Sequence, residues 1–450
     1  MLDIRFIRDN LERLRHAARA KNTPCDLERL CAVDDQRRRI QQQLDQLRHQ
    51  SKQLGAQMAL YRNPKSPWYK RSLAAGADPA TIQAEAEKLQ EQLEQIKTSI
   101  KSLQQQQRGV LDEFNRLMLT VPQPPAPDVP EGTDERDNVE VRRVGQPPEF
   151  GFEPKDHIQL GLNLGIIDVD RGVKLAGTRN YILRAEGALL HQAVLKFGYD
   201  LMLQRGFVPL TVPIINRGSA FVGTGWFPEG REQVYEIPRD ELFLVGTAEV
   251  PVTSYHMDEI LDEHELPKRY VAQSLCFRRE AGAAGKDTYG LYRVHQFEKV
   301  EQVIICRNDE QASIEHHHEI VANAEQLMQQ LELPYRVVNV CTGDLSTGAV
   351  QRFDIEAWMP SRGGYGETHS ASRFYEFQAR RLNLRYRDRA RRLHYCHTLN
   401  NTVVASPRIL IPLLEINQRP DGSVTIPKAL RPYMGGLECI RPRRSEASHA

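Results

Sequence analysis

CFRREAGAAGKDTYGLYRVHQFEKVE, residues Cys276–Glu301, decides how the rest of the chain is read. Its flanks, CFRRE and YRVHQFEKVEQVII, have the make-up of β-strands, and AGAAGKDTYG joins them as a loop that glycine lets bend and approach a ligand closely. Arg278 and Arg279 offer planar guanidinium forks suited to phosphate oxygens. Carboxylates and Phe297 stand close by on the other flank. The expectation is a nucleotide-triphosphate site built on an antiparallel hairpin. Two near matches to commoner nucleotide motifs fail. In GAAGKD, Gly282–Asp287, Glu280 and Asp287 occupy the positions a phosphate loop gives to Gly and Ser/Thr, and GTGWFPEG, Gly223–Gly230, lacks the third dinucleotide glycine.

Outward from the hairpin, short apolar runs (YILRA, FVPLTVPII, LFLVGTAEV, RYVAQSLCFRR, QVIICR, YRVVNVC and ILIPLLE) read as strands. Gly187–Arg205 and Asp309–Leu331 read as helices. The irregular order, with several strands separated only by turns, predicts an α+β domain with an antiparallel sheet flanked by helices. His316, His317 and His318 point in different directions from a helix, so a solvated helical face is expected there rather than a metal site.

The N-terminal third is different. After a short helix at Asp9–Ala20, the positions Ile82, Ala86, Leu89, Leu93, Ile96, Ile100, Leu103, Gln107, Val110, Phe114 and Leu117 recur at alternating steps of four and three, a coiled-coil seam. Ile40, Leu44, Leu47, Ser51, Leu54 and Met58 repeat that spacing. Pro64, Pro67, Gly76 and Pro79 interrupt the helix between them, which predicts a long antiparallel helical hairpin projecting as an arm. Residues 37–75 carry nine cations (Arg37, Arg38, Arg39, Arg48, Lys52, Arg62, Lys65, Lys70, Arg71) against one acid, Asp45. With Trp68 and Tyr69 among them, they suit a nucleic-acid backbone and its bases. VPQPPAPDVPEG, Val121–Gly132, reads as an extended linker.

Composition excludes little else. Lys+Arg number 60 and Asp+Glu 59 in 450 residues, so no global charge advertises a polyanion partner. Seven scattered cysteines without a C-x-x-C pair speak against disulfide frameworks and zinc ribbons. No signal-like run opens the chain and no stretch approaches a membrane span, so a cytoplasmic protein with no membrane partner is expected.

The hairpin stretch resembles the second signature motif of class II aminoacyl-tRNA synthetases, in the seryl form. VGTAEVP, CTGDL, FQARR, HTLNN and LRPYMGG are similar to further family motifs in the same order, and the likeness spans essentially the whole chain. The resemblance implies a tRNA-binding arm over residues 1–120, a Pro-rich linker over 121–135, a catalytic aminoacylation domain over 136–440 and a basic tail over 441–450. It implies a six- or seven-stranded antiparallel sheet. It also implies a homodimer built on Gly187–Arg205 and FVPLTVP with Pro213. The implied reaction forms seryl-adenylate from L-serine and ATP, releases pyrophosphate, and passes serine to tRNA(Ser), and to selenocysteine tRNA where a cell has one.

By position in the family motifs, Arg278 bridges the amino-acid carboxylate and the α-phosphate, and Glu280 and Arg408 complete the catalytic set. Arg279, Val294, Phe297, Glu367, Thr368, His369 and Ser370 join them around ATP, with Phe297 on the adenine. Thr247, Ala248, Glu249, Arg278, Glu301 and Thr402 fall to serine. Glu367 and Ser370 hold Mg2+ or Mn2+, as oxygen ligands suit. The loop Ala281–Gly290 is implied to probe the acceptor end of the tRNA. Many members carry Cys where this chain has Ala371, and a glycine-rich approach where it has NNTVVASPR before Arg408. Both departures spare the implied oxygen and guanidinium groups.

Overall fold

The computed structural model describes residues 1–282, 285 and 287–442. Part of the expected loop probe (Ala283, Ala284 and Lys286) and the expected basic tail from residue 443 onward lie outside the described residues. The chain divides into two compact units, Pro24–Val121 and a body of Met1–Thr23 with Pro122–Ala450. The first 23 residues, expected to open the arm, therefore belong with the body.

In the arm unit, helices Leu27–Arg62 and Pro79–Leu119 run antiparallel, as the pairs Arg29–Glu113, Gln41–Gln107 and Arg62–Gln90 show. Asp26 caps the first by accepting from Arg29 N at 2.8 Å. The repeating apolar positions meet: Val33, Ile40, Leu44 and Val110 are buried together, with Ile100, Leu103, Phe114 and Leu117 against them. At 41 residues the second helix is about 60 Å long. The proline-rich tip forms a further helix, Pro67–Ala74, capped by Ser66, with Trp68 packed on Tyr61 at 4.3 Å between ring centroids. Not every arm cation is free. Arg37 and Arg38 pair at 2.7 and 2.9 Å with Asp34, whose side chain is fully buried.

The body is built on one eight-stranded sheet. In chain order its strands are β1 (Val139–Val144), β2 (Val208–Leu210), β3 (Lys268–Phe277), β4 (Gln296–Cys306), β5 (Tyr335–Asn339), β6 (Gln351–Met359), β7 (Gly364–Arg373) and β8 (His397–Ser406). Their spatial order is β1-β5-β6-β7-β8-β4-β3-β2. All neighbours are antiparallel except β2, which lies parallel to β3. The count exceeds the six or seven expected.

Helices Glu186–Gln204 and Glu310–Gln330 cover one face, burying Leu190, Val194, Leu201, Ile320, Leu327 and Met328 in the main core. A Cβ at Gly198 would stand 2.7 Å from Val404 Cγ1, so only glycine lets the first helix come this close to β8. Period-two alternation sends Val300 and Ile304 of β4 into that core and turns Phe297, Lys299 and Glu301 to the other face.

Two readings change. ILIPLLE is helix, not strand: Leu410–Ile416 is helical, and its apolar residues are buried in the main core. His317 is not solvated. It is 1 % exposed, contacts the Ala371 carbonyl through Nε2 at 2.9 Å, and burial pushes its pKa down to about 3. No described helix is long and apolar enough to cross a membrane.

Candidate active site

A cavity of about 520 Å³ opens on the sheet face away from the two long helices. It receives Arg278 and Glu280 from the exit of β3, Val294 before β4, Phe297 and Glu301 from β4, Glu367, Thr368 and Ser370 from β7, and Thr402 and Arg408 from β8 and just beyond. Thr247 and Glu249 enter from the turn and short helix Glu249–Thr253. Three expected residues do not line it. Arg279 turns to the Gln233 and Glu232 carbonyls. Ala248 is buried in a separate apolar cluster. His369 is buried beside Thr368 Oγ1, 2.8 Å from its Nδ1, and burial pushes its pKa down to about 4.

One end of the cavity is rich in guanidinium. Arg408 donates from Nε to the Tyr292 carbonyl at 3.1 Å and from Nη1 to the Glu367 carbonyl at 3.2 Å, and Nη1 lies 3.5 Å from Glu367 Oε1. Tyr292 is held between Arg408 and Arg362, whose Cζ atoms lie 4.4 and 4.2 Å from its ring centroid. Glu280, at φ 52°, accepts from Arg293 Nη1 at 2.9 Å. Burial works to raise the pKa of Glu367, but Arg408, Arg352, Arg278 and Arg293 outweigh it and hold the carboxyl below its usual range. An ionised carboxylate amid four cations makes an end suited to a polyphosphate and a hard cation together.

The other end is rich in carboxylate. Glu301 is fully buried; it pairs with the Lys299 ammonium and accepts from Asn400 Nδ2 at 2.9 Å and Thr247 Oγ1 at 3.4 Å. A bulge after Val300 sets Glu301 opposite Thr402. Glu249 accepts from Gln378 Nε2 at 2.8 Å and from the Trp226 indole. Burial, reinforced by the neighbouring Glu301 charge, pushes Glu249 up to about 7. This end can accept an ammonium and a hydroxyl proton. Arg278 joins the two ends, with Cζ 5.2 Å from the Phe297 ring centroid and 5.8 Å from that of Trp226.

Trp226, Lys299, Asn400, Tyr292 and Gln378 went unmarked in the sequence. Lys299 carried a signal, since it alternates with Phe297 and Glu301 along one strand face. Gln378 lies in FQARR, and its helix Phe377–Leu382 shows what that motif does. Gln378 also bonds the Thr224 carbonyl at 3.0 Å and accepts from Thr398 Oγ1 at 2.6 Å. Arg381 Nη1 donates at 3.1 Å to both the Val222 and Phe227 carbonyls, fixing the GTGWFPEG turn.

Comparisons with known proteins agree with this geometry. Residues 1–125 match the family model for the seryl-tRNA synthetase N-terminal domain, and residues 234–417 match that for the tRNA synthetase class II core domain (G, H, P, S and T). The chain is 43 % identical over 440 residues to a serine–tRNA ligase of Deinococcus radiodurans, covering 98 % of this chain and 99 % of the relative. Among solved structures, seryl-tRNA synthetase from Pyrococcus horikoshii complexed with ATP superposes with a TM-score of 0.87 at 35 % identity, over 99 % of this chain and 100 % of that one. The cytoplasmic serine–tRNA ligase of Naegleria fowleri in complex with AMP gives 0.81 at 28 % identity, over 99 % of each chain. Matched along its whole length by full-length relatives, the chain belongs to the seryl-tRNA synthetase family of class II aminoacyl-tRNA synthetases.

Proposed function

We propose that the cavity joins L-serine to ATP as seryl-adenylate, releasing pyrophosphate, and then passes the seryl group to tRNA(Ser). The observation that carries this reading is the place of Arg278 between a carboxylate-lined end and a guanidinium-lined end. The serine ammonium and hydroxyl fall to Glu249, Glu301, Thr247 and Thr402. Its carboxylate lies on Arg278, aimed at the α-phosphate. The adenine rests on Phe297 beside Val294, and Arg408 and Glu280 orient the phosphates. A serine carboxylate oxygen attacks the α-phosphorus, the bond to the bridging oxygen breaks, and pyrophosphate leaves with the electron pair. No side chain needs to exchange a proton in this step, so positioning and charge neutralisation carry it.

Glu367 and Ser370 are oxygen donors, and Glu367 is held ionised, which fits Mg2+ or Mn2+ completed by phosphate oxygens. Such an ion would neutralise charge on the leaving phosphates. Discrimination against alanine follows from the polar end itself, because a substrate without a hydroxyl leaves buried acceptors unpaired.

The exposed arm cations not paired with Asp34, Arg39, Arg48, Lys52, Arg62, Lys65, Lys70 and Arg71, are assigned to the tRNA backbone, and selenocysteine tRNA is a second substrate in a cell that makes one. The exposed Leu189 and Leu203 on helix Glu186–Gln204, with Val208 after it, support a homodimer through that surface. Serine-dependent ATP–pyrophosphate exchange tests the reading. Exchange with serine and not with alanine is expected; no exchange with serine, or equal exchange with alanine, refutes it.

A further inference from the structure

The turn Ser346–Ala349 closes the carboxylate-lined end of the cavity, with Ser346, Thr347 and Gly348 on its wall. Behind it lies Lys21, at the end of helix Leu11–Ala20, only 5 % exposed. Lys21 Nζ donates to the Ser346 carbonyl at 3.1 Å, the Thr347 carbonyl at 3.3 Å and the Ala349 carbonyl at 2.5 Å. Three acceptors fan around one nitrogen, which matches the three N–H groups of an ammonium; a neutral amine has only two. The turn also receives Gln123 N on the Thr347 carbonyl at 2.9 Å, and Thr347 Oγ1 bonds the Glu229 carboxylate, itself on the cavity wall.

The turn is continuous with the Glu249 subsite. A Cβ at Gly348 would meet Phe377 Cε1 at 2.6 Å, so the turn lies flush on that ring, and the next residue, Gln378, is the one that bonds Glu249. The same N-terminal segment also reaches the Phe377–Leu382 helix directly: the Met1 ammonium donates to the Phe377 carbonyl, and Arg380 Nη1 lies 3.4 Å from Asp3 Oδ2.

We propose that Lys21 is a positioning residue for the amino-acid end of the cavity, its buried ammonium fixing the Ser346–Ala349 turn against the serine subsite. The inference rests on the assignment of serine to Glu249 and Glu301. A group outside both family motifs and catalytic strands thus sets one wall of the pocket. Burial lowers the Lys21 pKa to about 7, against the opposing pull of Glu229, the charged group that faces it. Above neutrality the amine gives up one of its three carbonyls, and the turn loosens. Glu249, the other group titrating near neutrality at this end, acts in the opposite sense, because its carboxylate forms as pH rises.

The test is pyrophosphate exchange with Lys21→Met in the full-length protein. The serine KM should rise about tenfold while the ATP KM stays within twofold. Asp3→Ala, which cuts a tether of the same segment that does not touch the turn, should leave the serine KM unchanged. Equal rises in both KM values, or no rise in a folded Lys21→Met, overturn the proposal. Should Lys21→Met fail to fold, the pH profile of Glu249→Gln, which lacks the opposing titration, decides: its serine KM should climb between pH 7 and 8.5 while its ATP KM does not, and a flat serine profile there refutes the idea. Glu249→Gln separates the two levels of inference. If it leaves the serine KM untouched, the assignment of the subsite fails; if it raises the KM while Lys21→Met does not, only the role of Lys21 fails.

Discussion

Lys299→Met should cost about 3 kcal/mol of stability at pH 7.5, although its ammonium is one charge among many. Lys299 is 6 % exposed and Glu301 is 0 % exposed, so neither charge has much access to water. Removing one partner of a buried pair typically costs about 3–5 kcal/mol, because the survivor keeps its desolvation penalty and loses its compensation. The lower end applies, since Asn400 Nδ2 at 2.9 Å and Thr247 Oγ1 at 3.4 Å still donate to Glu301. Adding Glu301→Gln removes the stranded charge and should restore about 2 kcal/mol, leaving a loss near 1 kcal/mol from imperfect packing. Urea unfolding followed through Trp226 and Trp358, in a Trp68→Phe background that silences the arm, measures each variant. A Lys299→Met loss under about 1 kcal/mol, or a double variant no more stable than Lys299→Met, would refute this account of the pair.

Three other outcomes follow from the site. Serine binding should release protons near pH 7, because Glu249 titrates at about 7 in the empty cavity and the bound ammonium favours its ionised form; calorimetry in buffers of different ionisation enthalpy reads the release, which should vanish in Glu249→Gln. Arg408→Lys keeps the charge but loses the fork that spans the Tyr292 and Glu367 carbonyls, so exchange should fall by about tenfold or more through the ATP terms, with the serine KM little changed. Reversing Arg39 and Lys52 to Glu should suppress tRNA charging and leave pyrophosphate exchange within about twofold, since arm cations bind backbone charge rather than the reacting atoms.

Legibility in the sequence tracked periodicity and chemistry. The arm was readable because its seam repeats over eleven positions of one helix, all apolar but Gln107, and Val110, Ile40 and Leu44 do pack together. The hairpin was readable because Gly-rich sequence separates two strand-like runs. ILIPLLE misled because a short, wholly apolar run has no period to read; burial on every side makes helix and strand look alike. His317 misled for the opposite reason, since a polar residue entered the core to meet one carbonyl contributed by β7, 54 residues away. Trp226 and Lys21 were invisible because their roles depend on which distant backbone they touch. The same holds for the boundary of the arm. Helical character runs through residues 4–20 as it does beyond them, and tertiary contacts, among them those of Lys21 with the turn at 346–349 and of Asp3 with Arg380, assign that segment to the body.

The FQARR helix has a bearing on how genetic data from this chain should be interpreted. Gln378 and Arg381 spend their hydrogen bonds on Glu249 and on the backbone at Thr224, Val222 and Phe227. A saturation scan scored by growth would rank these two positions beside Arg278, although neither lines the cavity. Such a map would outline the scaffold that aims the substrate-facing groups as sharply as the groups themselves. Suppressor screens for Arg381 variants should accordingly yield replacements in the 222–227 turn rather than around the nucleotide.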